Sequence, residues 1–175
     1  MEIAEYRKTL TKPLKKVTIL FPMTENQILL GMKLRGFGMG KWNGFGGKKD
    51  PGESMKQAAV RETYEEAGIV ISPRNLRRVG TINFYFPEVP KNDNWNQKAF
   101  VYIATTWKNQ PIKTDEMDPK LFKKDEIPYE QMWKTDSFWL PHILNGQKVK
   151  ADFLFMKNPV TQDFEVVKHQ LSCSV

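Results

Sequence analysis

The stretch of sequence that decides the fold reads GKKDPGESMKQAAVRETYEEAGI and spans residues 47–69. Ser54 and Gln57 match a capping box, so the sequence predicts a helix that begins near Ser54. Gly68 predicts the end of that helix, because glycine readily adopts the left-handed conformation found after the last helical turn. The residues expected to form the inward face of the helix are Met55, Ala58, Ala59 and Thr63.

Three glutamates lie close together on the surface of this predicted helix. Glu62, Glu65 and Glu66 are spaced i, i+3 and i+4, which places their carboxylates side by side. Like charges at this spacing cost a few tenths of a kcal/mol, and acids near a helix C-terminus also oppose the helix dipole. A compensating cation such as Mg²⁺, which prefers carboxylate oxygens, accounts for the cluster. A solvated acidic face is the competing interpretation, and it is favoured when these three residues are taken alone.

The residues around the glutamates decide in favour of the metal site. The segment has glycine, five residues, glutamate, seven residues, Arg-Glu, two residues, Glu-Glu, one residue and glycine. The fixed positions are Gly47, Glu53, Arg61, Glu62, Glu65, Glu66 and Gly68. This pattern resembles the Nudix box, with Thr63 in place of the usual aliphatic residue. The resemblance implies a Nudix fold, an α+β protein built as an α/β/α sandwich with a mixed sheet and a loop–helix–loop motif.

The Nudix resemblance also implies a chemistry, namely magnesium-dependent attack of water on a nucleoside diphosphate linkage, with Mn²⁺ as a candidate substitute for Mg²⁺. The catalytic residues it implies are Glu53, Arg61, Glu62, Glu65, Glu66 and Glu116, of which Glu116 lies outside the box. The metal ligands it implies are Gly47, Glu62, Glu65, Glu66 and Glu116. Which glutamate acts as general base stays open.

The remaining pattern of the chain predicts three pairs of strands and a second helix. The predicted pairs are 17–21 with 27–33, 76–86 with 98–107, and 151–156 with 164–167. The second helix is expected after residues 135–137 and runs toward Asn145 and Gly146. A mixed sheet flanked by two helices is an α+β sandwich. We expect residues 1–15 to be an N-terminal extension and residues 16–175 to form a single Nudix hydrolase domain.

Composition excludes several classes of protein. Hydrophobic residues make up 40% of the 175 and charged residues 27%, as in globular proteins. No apolar run approaches the roughly 20 residues that cross a bilayer, so no membrane association is expected. A single cysteine, Cys173, fits a reducing compartment, so we expect a cytoplasmic protein, or in a eukaryote a nuclear or mitochondrial one. We also expect a monomer. The net charge of +7 suits a polyanionic partner. Because the basic residues are spread along the chain, nucleic-acid binding is not expected.

A second resemblance narrows the substrate. The stretch GMKLRGFGMGKWNGFGGK, residues 31–48, is similar to the animal-type oxidised purine nucleoside triphosphatases. The segments 115–117, 127–133 and 136–139 are similar to the same family. This resemblance implies hydrolysis of oxidised or otherwise modified purine nucleoside triphosphates, of the 8-oxo-dGTP and 2-hydroxy-dATP type, to monophosphate and pyrophosphate. The alternatives are another Nudix hydrolase, acting on dinucleoside polyphosphates or RNA caps, and a non-catalytic nucleotide- or nucleic-acid-binding module.

The same resemblance assigns the substrate-binding residues. Asn43 matches the residue that reads the purine edge. The other positions carried over are Thr18, Lys33, Phe37, Gly46, Gly47, Phe84, Trp133, Thr135, Asp136 and Trp139. Phe37, Phe84 and Trp133 match pocket walls, and Trp139 matches the aromatic residue that closes the pocket. Thr135 departs from the family, which has two consecutive aspartates here, and this departure leaves the preferred modified base open.

Overall fold

The computed structural model describes all 175 residues, which form eight strands and three helices. The strands are β1 (Lys15–Pro22), β2 (Gln27–Lys33), β3 (Trp42–Asn43), β4 (Arg77–Tyr85), β5 (Gln97–Ala104), β6 (Met117–Lys123), β7 (Lys148–Lys157) and β8 (Phe164–Ser174). The helices are α1 (Ile3–Lys8), α2 (Met55–Ala67) and α3 (Asp136–Leu144). No helix has the length and apolar character needed to cross a membrane.

The strands form two sheets. The larger sheet is mixed and has the order β1-β5-β4-β7-β8, with β1–β5 and β4–β7 parallel and the other two pairs antiparallel. The smaller sheet is antiparallel and has the order β3-β2-β6. The larger sheet lies between α3 on one face and α2 on the other. This arrangement confirms the predicted α+β class with a mixed sheet.

One predicted strand pair is wrong. Residues 17–21 and 27–33 form strands, but β1 pairs with β5 and β2 pairs with β3 and β6. Only an isolated bridge between Met23 and Ile28 joins the two segments directly. The short polar connection suggested a hairpin, whereas parallel pairing with β5 buries Leu20 on one face of the sheet and Phe21 on the other. Burial of both faces outweighs the local turn signal.

The other predicted elements are confirmed. β4 and β5 pair antiparallel, and β7 and β8 form the closing hairpin, in which β8 continues to Ser174. Helix α2 begins after Ser54, whose hydroxyl accepts the Gln57 N–H, and ends at Gly68 with φ of 69°. The second helix is α3, within the expected residues.

The structure also contains elements that the sequence did not predict. Strand β6 includes Pro119, which argues against a central strand, and β6 is indeed at an edge of its sheet. Helix α1 packs through Ile3 against Tyr85 and Leu154. The boundary between residues 15 and 16 stays a prediction.

Two hydrophobic clusters hold the helices against the larger sheet. On one face, Trp139, Leu140 and Ile143 of α3 pack with residues such as Val101 and Phe153. On the other face, the apolar side of α2 packs against the sheet through Ala59 and Ala67, which contact a cluster containing Leu20, Phe45 and Tyr102. Of the expected inward residues of α2, Ala58, Ala59 and Thr63 are buried and Met55 is partly buried. The helix therefore presents its opposite face, with the glutamates, to the loop that precedes it.

Candidate active site

Gly46 and Gly47 bring the loop before α2 into contact with both β1 and the helix. A Cβ atom on Gly46, whose φ is +154°, would lie 2.0 Å from the Thr18 carbonyl oxygen. A Cβ atom on Gly47 would lie 2.6 Å from the Glu62 carboxylate carbon. The Thr18 N–H donates to the Gly47 carbonyl at 2.9 Å, and the Thr18 hydroxyl accepts the Gly47 N–H at 3.3 Å. Only glycine allows this approach, so backbone polar groups meet the acidic face of α2.

Glu66 is the buried carboxylate of this cluster, with a side chain that is only 2% exposed. Its Oε2 atom accepts the Gly46 N–H at 2.9 Å, and its Oε1 atom lies 3.7 Å from Lys33 Nζ. Burial raises the pKa of Glu66 to about 7, while the Gly46 N–H and Lys33 oppose that rise and the negative charges of Glu62 and Glu116 add to it. The carboxylate is thus held close to other acids in a poorly hydrated place.

Arg61 ties the loop to the helix. Its Nε atom donates to Glu53 Oε1 at 2.6 Å and its Nη2 atom to Glu53 Oε2 at 3.0 Å, a bidentate pair. It also contacts Glu62 at 3.0 Å, Glu65 at 3.2 Å and the Lys48 carbonyl at 3.1 Å. These contacts lower the pKa of Glu53 and counter the rise that burial causes in the pKa of Glu62. Arg61 therefore positions the carboxylates, and Glu65 is the most exposed of the three on the helix.

Glu116, just before β6, reaches the same cluster from the smaller sheet. Lys33 Nζ lies 3.8 Å from Glu116 and 3.7 Å from Glu66, so one ammonium group bridges the two acids. Arg35 donates to Glu116 at 2.7 Å and lowers the pKa of its carboxyl group. The sequence did not identify Arg35, because no spacing rule connects it to Glu116, 81 residues away.

The donor chemistry of this cluster fits a divalent cation. Glu62, Glu66 and Glu116 offer hard oxygen ligands. The charges of Glu62 and Glu116 both raise the pKa of Glu66, and that of Glu116 also raises the pKa of Glu62. No three His, Cys, Asp or Glu side chains converge closely enough to form a metal site by themselves in this arrangement. Lys33 pairs with Glu66 and Glu116 instead, and Arg61 pairs with Glu62. Which carboxylates bind an ion stays a prediction.

A second group of the predicted residues lies around the Trp133 indole. The Trp133 indole N–H donates to Asn43 Oδ1 at 2.9 Å, and the Asn43 amide donates to the Lys41 carbonyl at 2.8 Å. The Phe37 ring stacks on Trp133 with ring centroids 5.0 Å apart, although Phe37 is 67% exposed. Lys41 Nζ lies 5.3 Å from the Trp133 ring centre. The Trp133 indole is thus held by a hydrogen bond at its N–H edge, and the exposed ring of Phe37 lies beside it.

Thr135 and Asp136 are buried at the start of α3. The Thr135 hydroxyl donates to Asp136 Oδ1 at 3.4 Å. Burial raises the pKa of Asp136 to about 7, and the Thr135 hydroxyl and the positive charge of Lys41 counter the rise. No ion pair is formed by Asp136, so Lys41 acts on it only from a distance. The groups that donate hydrogen bonds to this carboxyl group are neutral.

Phe84 and Trp139 lie deeper than the other predicted aromatic residues. Trp139 is 1% exposed and packs on Phe21 with ring centroids 5.9 Å apart. Its indole N–H has no hydrogen-bond partner, although it is close enough to lower the pKa of Asp136. Phe84 is partly buried and stacks with Phe153 at 6.0 Å. Both belong to the core between α3 and the larger sheet.

One strand and its loop join the two groups. The Lys33 side chain reaches Glu66, while the Lys33 backbone N–H donates to the Lys41 carbonyl at 3.0 Å. That carbonyl also accepts the Asn43 amide. Residues 33–43 therefore contact both groups, through Lys33 at the carboxylate cluster and through Asn43 at Trp133.

The loop–helix–loop carries clustered acidic residues and lies on an α+β sandwich, which is the arrangement that the Nudix box predicted. The comparison with protein families agrees with that class. Residues 13–143 match the NUDIX domain family. The chain belongs to this family, as the box residues predicted. Hydrolases of the family generally use a divalent metal ion.

The relatives of this chain narrow the comparison further. It is 37% identical over 157 residues to the oxidized purine nucleoside triphosphate hydrolase of Danio rerio, covering 90% of this chain and 94% of the relative. It is 37% identical over 138 residues to the enzyme of the same name from Mus musculus, covering 79% and 85%. A solved MutT protein from Bacillus halodurans superimposes with a TM-score of 0.74 at 28% identity, covering 90% of this chain and 97% of that one. The resemblance inferred from residues 31–48 is thereby confirmed.

Proposed function

We propose that this protein hydrolyses oxidised purine nucleoside triphosphates to the monophosphate and pyrophosphate, and so removes them from the nucleotide pool. The observation that carries the proposal is that one segment, residues 33–43, contributes Lys33 to the carboxylate cluster and Asn43 to the aromatic–amide group. A triphosphate and its purine would then be bound together. The names of the vertebrate relatives support this substrate.

The residues that would hold Mg²⁺ are Glu62, Glu66 and Glu116, with the Gly47 backbone and the more exposed Glu65 beside them. When bound, Mg²⁺ neutralises phosphate charge and lowers the pKa of a water molecule. Lys33 bridges Glu66 and Glu116, and its ammonium group would be available to a phosphate oxygen if these carboxylates held the ion. Arg61 keeps Glu53, Glu62 and the loop carbonyl of Lys48 in fixed positions.

The purine would lie against Trp133 and Phe37, with its edge facing Asn43 and Asp136. With a pKa of about 7, the Asp136 carboxyl group exists in both forms near neutral pH. Protonated, it donates a hydrogen bond to an acceptor on the base. Ionised, it accepts one from a donor. Oxidation changes the donors and acceptors on a purine edge, so this group can distinguish an oxidised base, while the Thr135 hydroxyl adds a second adaptable partner.

Two features of the setting belong to the same proposal. A protein that acts on the nucleotide pool would work in the cytoplasm, which agrees with the single cysteine. We also expect a monomer.

The test is pyrophosphate release with Mg²⁺ across a panel of nucleotides. The panel contains dGTP, 8-oxo-dGTP, 2-hydroxy-dATP, O6-methyl-dGTP, ATP and diadenosine tetraphosphate, and chromatography identifies the nucleoside product. We expect at least a tenfold higher kcat/KM for an oxidised dNTP than for dGTP. A preference for O6-methyl-dGTP or diadenosine tetraphosphate would move the substrate within the family. No turnover of any nucleotide would overturn the proposal.

A further inference from the structure

One face of the larger sheet is open between α2, which covers β1, and α1, which covers the end of β7 near Leu154. The opening is a groove of about 590 Å³. Its polar lining includes Arg78, Lys98, Lys150, Asp152, Gln170 and Ser172. This groove lies on the face opposite to α3 and takes no part in the site described above.

Each of four adjacent strands carries an unpaired cation on this face. These cations are Lys16 on β1, Lys98 on β5, Arg78 on β4 and Lys150 on β7. Lys16 and Lys98 are in register on neighbouring strands, an arrangement in which like charges repel. None of the four forms an ion pair with a carboxylate. The positive charge of this face is therefore not compensated within the protein.

Asp152 is the only carboxylate that lines the groove, and other groups already engage it. Its Oδ1 atom accepts hydrogen bonds from Asn83 at 2.7 Å and Tyr85 at 3.3 Å, and its Oδ2 atom lies 3.9 Å from Arg7. Because Asp152 has these three partners at the α1 end, it does not neutralise Lys98 or Lys150.

An aromatic ring lies between two of the cations. The Arg78 guanidinium lies 4.5 Å from the centre of the Phe100 ring, and Lys98 Nζ lies 5.7 Å from it. Arg78 also donates to the Thr81 hydroxyl, which helps to fix its guanidinium group beside the ring. A guanidinium plane stacked on an aromatic ring is a surface on which a nucleic-acid base can stack.

The spacing of the cations favours an extended ligand over a compact one. Four adjacent strands at about 4.8 Å spacing place the outer two, β1 and β7, about 14 Å apart. The phosphates of one nucleotide are contiguous and would reach only neighbouring cations. A chain of phosphates would reach all four, and the hydroxyl and amide groups of Ser172 and Gln170 add donors for phosphate and sugar oxygens.

We infer that this groove binds the phosphate backbone of single-stranded nucleic acid, independently of nucleotide hydrolysis. The cations give affinity without sequence preference, and the Arg78–Phe100 pair offers a stacking surface. This inference departs from the sequence-based expectation that nucleic acid is not bound. That expectation rested on basic residues being spread along the chain, and folding places four of them on one face.

Fluorescence anisotropy with a fluorescein-labelled dT15 oligonucleotide tests the inference. With four phosphates contacted, the logarithm of the binding constant should fall with the logarithm of the salt concentration with a slope of about −3. Binding should then weaken roughly fiftyfold between 50 and 200 mM salt. No measurable binding at 50 mM salt would overturn the inference.

A matched pair of variants separates the groove from the net charge. The groove variant is Lys98→Glu with Lys150→Glu, and the control is Lys108→Glu with Lys120→Glu, which changes the net charge equally at exposed positions outside the groove. We expect the groove variant to bind dT15 at least about tenfold more weakly with half the salt slope, and the control to stay within about twofold. Equal losses in both variants would overturn the inference.

Two further measurements serve as controls for the binding experiment. Nucleotide hydrolysis should be unchanged in the groove variant, and Lys98→Gln with Lys150→Gln is available should charge reversal prevent folding. Sodium tripolyphosphate competes with dT15 only weakly at equal phosphate concentration if the ligand is extended. Equally strong competition would mean a compact oligophosphate site and would overturn the nucleic-acid assignment.

Discussion

Glu66 and Asp136 are two buried carboxylates with the same raised pKa and different surroundings. Burial raises the pKa of each to about 7. Around Glu66 lie the Gly46 N–H, the Lys33 ammonium and two further acids. Around Asp136 lie the Thr135 hydroxyl, the Trp139 indole and the more distant Lys41.

This difference shows that burial raises the pKa of both carboxyl groups, whereas the groups around each one determine what it can bind. Repulsion from Glu62 and Glu116 makes the Glu66 position favourable for an entering cation, because positive charge relieves that repulsion. The neutral neighbours of Asp136 leave its proton available for hydrogen bonding with a neutral base. The first site therefore suits phosphate chemistry, and the second suits recognition.

The largest effect is expected at Glu66, the carboxylate whose surroundings suit phosphate chemistry. Glu66→Gln keeps the size of the side chain and its bond to the Gly46 N–H but removes the charge. We expect kcat to fall by about a thousandfold, since the transition state loses its main electrostatic support, while nucleotide binding stays measurable. Steady-state pyrophosphate release and calorimetric nucleotide binding measure the two quantities.

The control for this variant is Glu130→Gln, which removes one exposed carboxylate without touching the site. Its turnover should match the wild type. Turnover of Glu66→Gln within threefold of the wild type would remove Glu66 from the catalytic cluster.

The two sites also differ in how far the sequence predicts them. Glu53, Arg61, Glu62 and Glu66 lie within fourteen residues, so helix periodicity and a capping signal are enough to bring them together. Asn43 and Trp133 are 90 residues apart, and only a resemblance to known proteins connected them. The pairing of strands that are far apart in the sequence, such as β1 with β5, depends on burial in the folded protein and has no signal in the local sequence.

The same reasoning explains what the sequence missed elsewhere. β6 was not predicted because Pro119 weakens the local strand signal, and only an edge position tolerates it. The four cations described on the open face come from four strands, so their proximity follows from sheet order. The structure also explains the departure from the box at Thr63. Its hydroxyl donates to the Ala59 carbonyl at 2.8 Å and so fits a buried position that usually holds an aliphatic residue.

The next largest effect is expected at Asp136, in the way that the free energy of unfolding depends on pH. The pKa of Asp136 is about 7 in the folded protein against an ordinary value of 3.8, so the folded state binds the proton more tightly than the unfolded chain. The free energy of unfolding must then decrease as pH rises between these values. Asp136→Asn cannot ionise, and between pH 5 and pH 8 it should gain roughly 2–3 kcal/mol relative to the wild type.

Urea unfolding at the two pH values measures this difference, with Asp93→Asn as the control for loss of an exposed carboxylate. The control should follow the wild type. If Asp136→Asn and the wild type lose or gain stability in parallel, the pKa of Asp136 is not raised.

A smaller effect is expected at the amide. Asn43→Ala removes the acceptor of the Trp133 N–H and so frees the ring to turn. We expect kcat/KM for the preferred purine to fall by about tenfold, with little change in unfolding free energy, because the site is only partly buried. Trp133→Phe is the matched variant, since it removes the same hydrogen bond and keeps an aromatic wall. Unchanged selectivity in both variants would separate this pair from base recognition.

The smallest effect is expected at Thr135, and it tests the comparison most directly. Thr135→Val keeps the shape but removes the hydroxyl that lowers the pKa of Asp136, so the pKa should rise further. The pH at which purine selectivity changes should therefore move upward, with kcat/KM changed about twofold to fivefold. Thr135→Ser restores the hydroxyl and should restore the wild-type profile. The pH dependence of kcat/KM for two purines distinguishes these outcomes, and identical profiles for the valine and serine variants would show that Asp136 reads the base without its neighbour.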